Sequence, residues 1–289
     1  MKDLTVFILT HNRPILVQTA IESVLAQKPF DFKFIVSDNS DTNETEKALK
    51  NKPYFEKINY YHTTANGADR WHDIFSRVET EYFMVFHDDD EMFPDMVDNL
   101  YKKITTGKLA AVGGNAHVYI NGSYSHSYNK LKCDLIIEGF DDFAKNWINT
   151  SMSPFPSYMY SKKCKDVFPF TFPAGKYSDA VFIGNIVKDV GNVGVLSKPL
   201  MIYNIHQNQD SAIYDYLSHY YLYRYYKNNL SEKKNKIIDK FRSGVLFNLI
   251  RYKLSVGEKP SKTQIHLLFK YSKHYYLSLC LRFFLNKIY

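Results

Sequence analysis

Strand and helix patterns alternate over residues 4–113, which predicts an α/β protein with a mostly parallel central sheet and flanking helices. Polar clusters at Thr10-His11-Asn12, Ser37-Asp38-Asn39 and Asp88-Asp89-Asp90 each close an apolar run, and sheets of this class gather ligand contacts at the carboxyl ends of their strands. From residue 212 onward the pattern turns helical, basic and tyrosine-rich, which predicts a C-terminal helical extension.

Residues 4–9 are an apolar strand, and residues 13–27 carry Ile15, Leu16, Ala20, Ile21, Val24 and Leu25 at helical spacing. Residues 32–36 read as the second strand, 42–51 as a weak helix, 58–61 as a short strand and 67–78 as a helix. The run Tyr82-Phe83-Met84-Val85-Phe86-His87 is aromatic and β-branched, as a buried strand is. A helix over 95–105 and a strand over 109–113 follow, then a hairpin over 118–124 turning at Asn121-Gly122. Residues 140–148 and 180–190 are helical, and 193–196 and 200–205 read as two strands. Residues 233–240 start a charged helix, and residues 271–289 interleave Lys273, Arg282 and Lys287 with tyrosine, leucine and phenylalanine.

The chain has 289 residues, 45% hydrophobic and 23% charged, enough for one large domain with a sizeable core. A net charge of +7 suits an anionic partner without selecting one. Cys133, Cys164 and Cys280 are widely spaced and odd in number, which argues against a disulfide scaffold or a zinc site and for a reducing compartment. No signal-peptide pattern is visible, and no apolar run reaches the roughly 20 residues of a spanning helix, so a cytoplasmic protein is expected, free or at the inner face of the membrane.

Asp88, Asp89 and Asp90 repel one another and call for a counter-ion. A hard divalent cation bridging a substrate's phosphates would serve; the alternative is a solvated acidic turn before a helix starting near Pro94 and Asp95. No G-x-x-x-x-G-K-[ST] loop, G-x-G-x-x-G turn, G-x-S-x-G elbow or H-E-x-x-H pair occurs, which argues against P-loop ATPases, dinucleotide enzymes, serine hydrolases and zinc peptidases.

Six segments in order resemble the inverting glycosyltransferases of family 2, which have the GT-A fold. Leu4-Thr5-Val6-Phe7-Ile8-Leu9-Thr10-His11-Asn12-Arg13 is similar to that family's first strand and nucleotide loop, and Ser23-Val24-Leu25-Ala26-Gln27 to its S-V-L-x-Q helix end. Phe34-Ile35-Val36-Ser37-Asp38-Asn39-Ser40 resembles its second strand, and His87-Asp88-Asp89-Asp90 with Pro94 resembles its D-x-D segment. Ser178-Asp179, Gly191 and Val195 resemble its acceptor helix, and Tyr203-Asn204-Ile205-His206 through Ser211 its Y-R-x-H-x-x-x-x-S stretch. Two positions depart: Ser37 stands where the family often has Asp, and Asn204 where it often has Arg. The resemblance implies a nucleotide-sugar-binding half over 1–114 and an acceptor-binding half over 115–211; it does not reach the extension over 212–289.

It also implies roles. Asp38 matches a residue that accepts from the uracil N3–H; the alternative is an Asx turn with Ser40. Thr10, Asn12 and Arg13 fall in the nucleotide loop, and a strand-end hydroxyl bonded to backbone is the alternative for Thr10. Arg70 falls where the family contacts the nucleotide; otherwise it pairs with Asp69 or Asp73. Asp88 and Asp90 fit D-x-D spacing, and alternate residues of an extended segment share a side, so both would face Mn²⁺ or Mg²⁺, with Asp88 and Asp89 also bordering the nucleotide and Asp89 an alternative ligand. His87 is a group behind the ligands or a buried strand residue, and His206 contacts metal or diphosphate or is structural. Asp179 matches the catalytic base, kept ionised by a helix N-terminus; the alternative is a helix cap.

The expected function is inverting, metal-dependent hexosyl transfer from a nucleotide sugar, a UDP-sugar, to a saccharide hydroxyl on a lipid-linked precursor of O-antigen, capsule or similar. The rivals are a sugar-phosphate nucleotidyltransferase, which would want a glycine-rich loop where Thr10-His11-Asn12-Arg13-Pro14 stands, and a non-catalytic glycan- or lipid-binding protein. The basic aromatic extension suits peripheral membrane contact or a packed hairpin with snorkelling lysines, and no nucleic-acid module supports that partner.

Overall fold

The computed structural model describes residues 3–29, 31–170, 175–206, 216–231 and 236–285. Its first half alternates β1 (Leu4–Thr10), α1 (Leu16–Leu25), β2 (Lys33–Asp38), α2 (Glu44–Lys50), β3 (Asn59–His62), α3 (Gly67–Ser76) and β4 (Tyr82–His87). Next come β5 (Glu91–Met92), α4 (Met96–Gly107), the hairpin β6 (Ala111–Ile120) and β7 (Ser123–Ser127), then β8 (Leu135–Ile137) and α5 (Phe140–Ile148). β9 (Tyr158–Ser161), α6 (Ser178–Asp189) and β10 (Val193–Ile205) complete the sheet, and α7 (Tyr216–Asn229), α8 (Lys236–Ser255), α9 (Lys262–Tyr271) and α10 (Lys273–Leu285) follow.

One sheet runs in the order β3-β2-β1-β4-β9-β6-β10-β5, with β7 on β6 and β8 on β10. β3, β2, β1 and β4 pair in parallel, as the alternation predicts. Both faces of β1 are covered: Val6 and Ile8 pack with Val17 and Ile21 of α1, while Phe7 packs with Phe75 and Phe83 on the opposite side. Burial on two faces explains why the strand reads as a continuous apolar run. The predicted division at residue 114 falls inside β6, so a single sheet carries both halves.

β9 is the strand that sequence patterning misses. It lies antiparallel between β4 and β6, but its four residues follow the proline- and serine-rich run Ser151-Met152-Ser153-Pro154-Phe155-Pro156-Ser157, which reads as loop. Gly113 admits it: a Cβ there would lie 2.7 Å from the Tyr158 ring. The two strands expected over 193–205 are one. Pro199 has no N–H to donate, and the ladder between β10 and β6 shifts register on either side of it. The hairpin turns where expected, with φ of 50° at Asn121 and 80° at Gly122, the paired left-handed residues of a tight two-residue turn.

The helical extension is grafted onto the main core. Leu222, Tyr225 and Tyr226 of α7 and Ile238 of α8 share one cluster with Phe143, Phe182 and Ile183. The Tyr225 hydroxyl donates to Asn185 Oδ1 at 2.8 Å, tying α7 to α6. Only beyond this does a separate small cluster form, from Leu246, Phe247, Ile250 and Leu268. The start expected for the extension at residue 212 and the charged start over 233–235 lie outside the described residues, as do residues 286–289.

Candidate active site

Parallel register brings the strand ends together: Thr10 pairs with Asp38, Asp38 with His62, and Leu9 with His87. Immediately after β4 the backbone turns through Asp88 and Asp89. This turn corrects the expectation that Asp88 and Asp90 lie on one side, because side-chain alternation belongs to extended backbone. Asp88, 3% exposed, accepts from Thr10 Oγ1 at 2.7 Å and from Arg13 Nη1 at 2.8 Å. Asp89 Oδ2 accepts from Arg13 Nη1 at 3.2 Å and lies 3.0 Å from His206 Nε2. Arg13 therefore supplies a positive partner of the kind that the acidic run calls for, to both Asp88 and Asp89.

Asp90 is different. It is 1% exposed; Oδ1 accepts from the Asn204 backbone N–H at 2.9 Å, while Oδ2 is buried with no hydrogen-bond partner among the described residues. Desolvation, reinforced by the charge of Asp89, raises its pKa well above the ordinary carboxylate value. A buried carboxylate oxygen left without a donor is costly unless a cation meets it. The residues fit one: ligand atoms of His87, Asp89 and Asp90 all lie within 4.8 Å of one another. Desolvation lowers the His87 imidazole below the usual histidine value, which favours the neutral form with a lone pair to offer. The set gathered here is thus His87, Asp89 and Asp90; of the ligands expected from sequence, Asp90 belongs to it, Asp88 is turned to Thr10 and Arg13, and His206 borders it through Asp89.

The base-side residues are braced internally. Asp38 is fully buried; Oδ1 accepts from the N–H and hydroxyl of Ser40 at 2.8 and 2.5 Å, and Oδ2 from the Tyr60 hydroxyl at 2.7 Å. The Asx-turn alternative describes it, with Tyr60 added; three of the carboxylate's roughly four lone-pair sites are taken inside the protein. Arg70 reaches neither Asp69 nor Asp73: Nη2 donates to the carbonyls of Thr10 and Ser37, both at 3.0 Å, and Nη1 to Asn39 Oδ1. It straps the ends of β1 and β2 together. Asn12 holds a left-handed φ of 54° and is exposed, with Nδ2 donating to Asp41 Oδ2 at 2.7 Å and Oδ1 accepting from the Asp41 N–H at 3.0 Å, which joins the two loops.

Asp179 lies in the first turn of α6, where Oδ1 accepts from the Ala180 N–H at 2.7 Å. Burial outweighs this helix terminus and pushes the carboxyl from 3.8 up to about 6. The group still ionises at neutral pH, close to the value a general base wants. Tyr128, not anticipated from sequence, joins Tyr203 of the Tyr203-to-Ser211 stretch: their hydroxyls are raised by desolvation and then by nearby charges that include Asp90 and Asp179. No local signal marks Tyr128, because it meets the Tyr203 ring of β10 across β6 only in the folded sheet.

A model of the family described as glycosyl transferase family 2 matches residues 5–168. The GalNAc(5)-diNAcBac-PP-undecaprenol β-1,3-glucosyltransferase of Campylobacter jejuni is 28% identical over 140 residues, 45% of this chain and 43% of that one, so the match spans under half of that relative. Among solved structures, S. aureus TarS 1–349 in complex with UDP-GlcNAc matches with a TM-score of 0.65 at 17% identity, covering 94% of this chain and 80% of that one. The mannosyltransferase PcManGT from Pyrobaculum calidifontis, in complex with GDP-Man and Mn²⁺, matches with a TM-score of 0.55 at 11% identity over 97% of this chain and 86% of that one. These likenesses bear out the predicted fold.

Proposed function

The chain belongs to glycosyl transferase family 2, and from that premise we propose an inverting, metal-dependent glycosyltransferase acting on a nucleotide sugar. The donor is a UDP-sugar and the acceptor a saccharide hydroxyl on a lipid-linked glycan precursor of the O-antigen or capsule kind. The relative with a diphosphoundecaprenol glycan in its name supports the acceptor class, and the TarS complex with UDP-GlcNAc supports the uridine nucleotide. The single observation that carries the reading is the buried Oδ2 of Asp90, without a hydrogen-bond partner among the described residues and 3.8 Å from His87 Nδ1, with Asp89 beside them at the carboxyl edge of the sheet.

A Mn²⁺ or Mg²⁺ ion bound by Asp90, Asp89 and His87 would supply Lewis-acid neutralisation of the departing nucleoside diphosphate. Arg13 brings further positive charge to the same edge. Thr10, Asn12 and Arg70 hold the loops that would frame the nucleotide, and Asp38 fixes the end of β2. The Asp179 carboxylate takes the proton from the acceptor hydroxyl as that oxygen attacks the anomeric carbon. Attack comes from the face opposite the diphosphate, so a new C–O bond forms, the bond to the diphosphate oxygen breaks and the configuration inverts.

Thermal unfolding with UDP or GDP, each with and without Mn²⁺, tests the reading. Stabilisation by UDP that requires Mn²⁺ is expected, about 5 °C at a hundredfold excess over Kd. A panel of UDP-sugars assayed for UDP release would then identify the donor. No stabilisation by either nucleotide with any divalent ion would end the proposal and favour the non-catalytic alternative.

The extension carries a second element, contact with an anionic membrane surface. Residues 221–289 hold 15 Lys and Arg against 3 Asp and Glu, whereas residues 1–220 hold 22 against 27. Tyr252, Leu254, Val256, Phe269 and Leu277 expose large apolar surface on the same helices. No described helix is long and apolar enough to cross a membrane, so the contact would be interfacial. Co-sedimentation with phosphatidylglycerol vesicles is expected, falling with added salt, and absent with pure phosphatidylcholine. Equal pelleting with both lipids, or with neither, contradicts it.

A further inference from the structure

Tyr128 is an exposed aromatic on a fixed base. Its N–H donates to the Ala116 carbonyl at 2.9 Å, extending the pairing of β7 with β6. The next residue, Asn129, is 2% exposed: its N–H donates to Asn115 Oδ1 at 3.1 Å, its carbonyl accepts from Asn115 Nδ2 at 3.3 Å, and its Nδ2 donates to the Met152 carbonyl at 3.4 Å. Asn115 is itself 3% exposed. Two buried amides bonded this way hold the backbone in one position, yet Tyr128 keeps 40% exposure as a residue while its hydroxyl end is desolvated. A surface tyrosine needs no such base; a preorganised binding platform does.

Its location is equally specific. The Tyr203 ring stands edge-on to it, with centroids 5.5 Å apart and planes at 74°. Tyr203 directly precedes Asn204, whose N–H holds Asp90 Oδ1. The sheet order sets the loops after β1, β2 and β3 toward one side and β6, β7 and β10 toward the other. A nucleobase framed by the former leaves Tyr128 and Tyr203 to the saccharide side.

We propose that Tyr128, braced by Tyr203, is the stacking platform for the acceptor saccharide, carrying the C–H face of its terminal sugar ring. Fixing that ring sets which hydroxyl is presented to Asp179. An aromatic face against sugar C–H groups gives burial and shape without a charged partner, which suits a neutral glycan. The proposal rests on the glycosyltransferase reading above.

Saturation-transfer NMR tests it, on protein loaded with UDP and diamagnetic Mg²⁺ and probed with octyl β-glycosides of glucose, galactose, N-acetylglucosamine and N-acetylgalactosamine. Wild type is expected to saturate the ring protons of at least one glycoside. Tyr128→Ala and Tyr128→Leu should weaken that Kd about tenfold, whereas Tyr128→Phe, which keeps the ring, retains it. UDP-dependent stabilisation of each variant shows that the fold and nucleotide site persist. Wild-type affinity in Tyr128→Ala overturns the platform, and so does loaded wild type that binds none of the probes. Failure of UDP and Mn²⁺ to stabilise wild type instead removes the parent reading, and the platform falls with it.

Discussion

Replacing Asp179 by asparagine is expected to lower the rate of transfer by about 10²–10⁴-fold while leaving Mn²⁺-dependent UDP binding intact. Asparagine keeps an oxygen for the Ala180 N–H at 2.7 Å but cannot take the acceptor's proton. The wild-type rate should climb with pH through about 6, the value to which burial pushes this carboxyl, and level off above it. The same burial has a stability consequence of opposite sign. The folded pKa is raised from 3.8 to about 6, so the native state holds the proton more tightly than the unfolded chain. Below pH 4 both states are protonated and the carboxyl carries no penalty. Between about 4 and 6 the unfolded chain ionises first, and stability falls until the penalty is complete above 6. Asp179→Asn removes it, so the variant should be more stable than wild type at pH 7.5 by about 1–3 kcal/mol and equal to it near pH 3.5. Parallel denaturant titrations at the two pH values measure the difference. A variant that transfers sugar at the wild-type rate removes Asp179 from the chemistry; one less stable at both pH values makes it a structural cap.

Much of this architecture is legible in the chain because local and global signals agree. Tyr82–His87 has the predicted bounds, since a strand buried on both faces leaves an unbroken apolar run. The turn at Asn121-Gly122 is legible because few residue pairs accept two left-handed conformations. β9 is not legible: it is short, antiparallel within a largely parallel neighbourhood, and held by contacts to β4 and β6 that are distant in sequence. At the site, residue types are legible and directions are not. Spacing puts three carboxylates at a strand end, but the turn after His87 decides that Asp88 meets Thr10 and Arg13 while Asp90 meets Asn204. Asp38 looks like an open acceptor, but Ser40 and Tyr60 already bond to both its oxygens. Asp179 looks like a well-stabilised anion at a helix start, because the surroundings that raise its pKa belong to other elements.

Asp90→Asn is expected to abolish the Mn²⁺-dependent stabilisation by UDP, weakening cation affinity by about 100-fold or more, since a neutral amide replaces the best-placed anionic ligand. The loss should not come from misfolding. Asparagine can keep the oxygen that accepts from Asn204 N–H at 2.9 Å, and it sets an N–H donor where Oδ2 now lies buried without one. That donor would lie 3.8 Å from His87 Nδ1 and within reach of Asp89. The variant should therefore unfold at the same temperature as wild type, or a higher one, in EDTA, and show no response to Mn²⁺ with UDP. The same substitution two residues earlier has the opposite expectation. Asp88→Asn gives up the charge that Arg13 Nη1 meets at 2.8 Å, so it should destabilise the protein by about 1–2 kcal/mol even in EDTA. The contrast separates a carboxylate that holds the fold from one held in readiness for a cation. An Asp90→Asn protein that binds UDP and Mn²⁺ with wild-type affinity would move the metal away from this edge of the sheet. An Asp90→Asn protein that is strongly destabilised in EDTA would mean that Oδ2 already has a partner and that its burial is no sign of an absent ion.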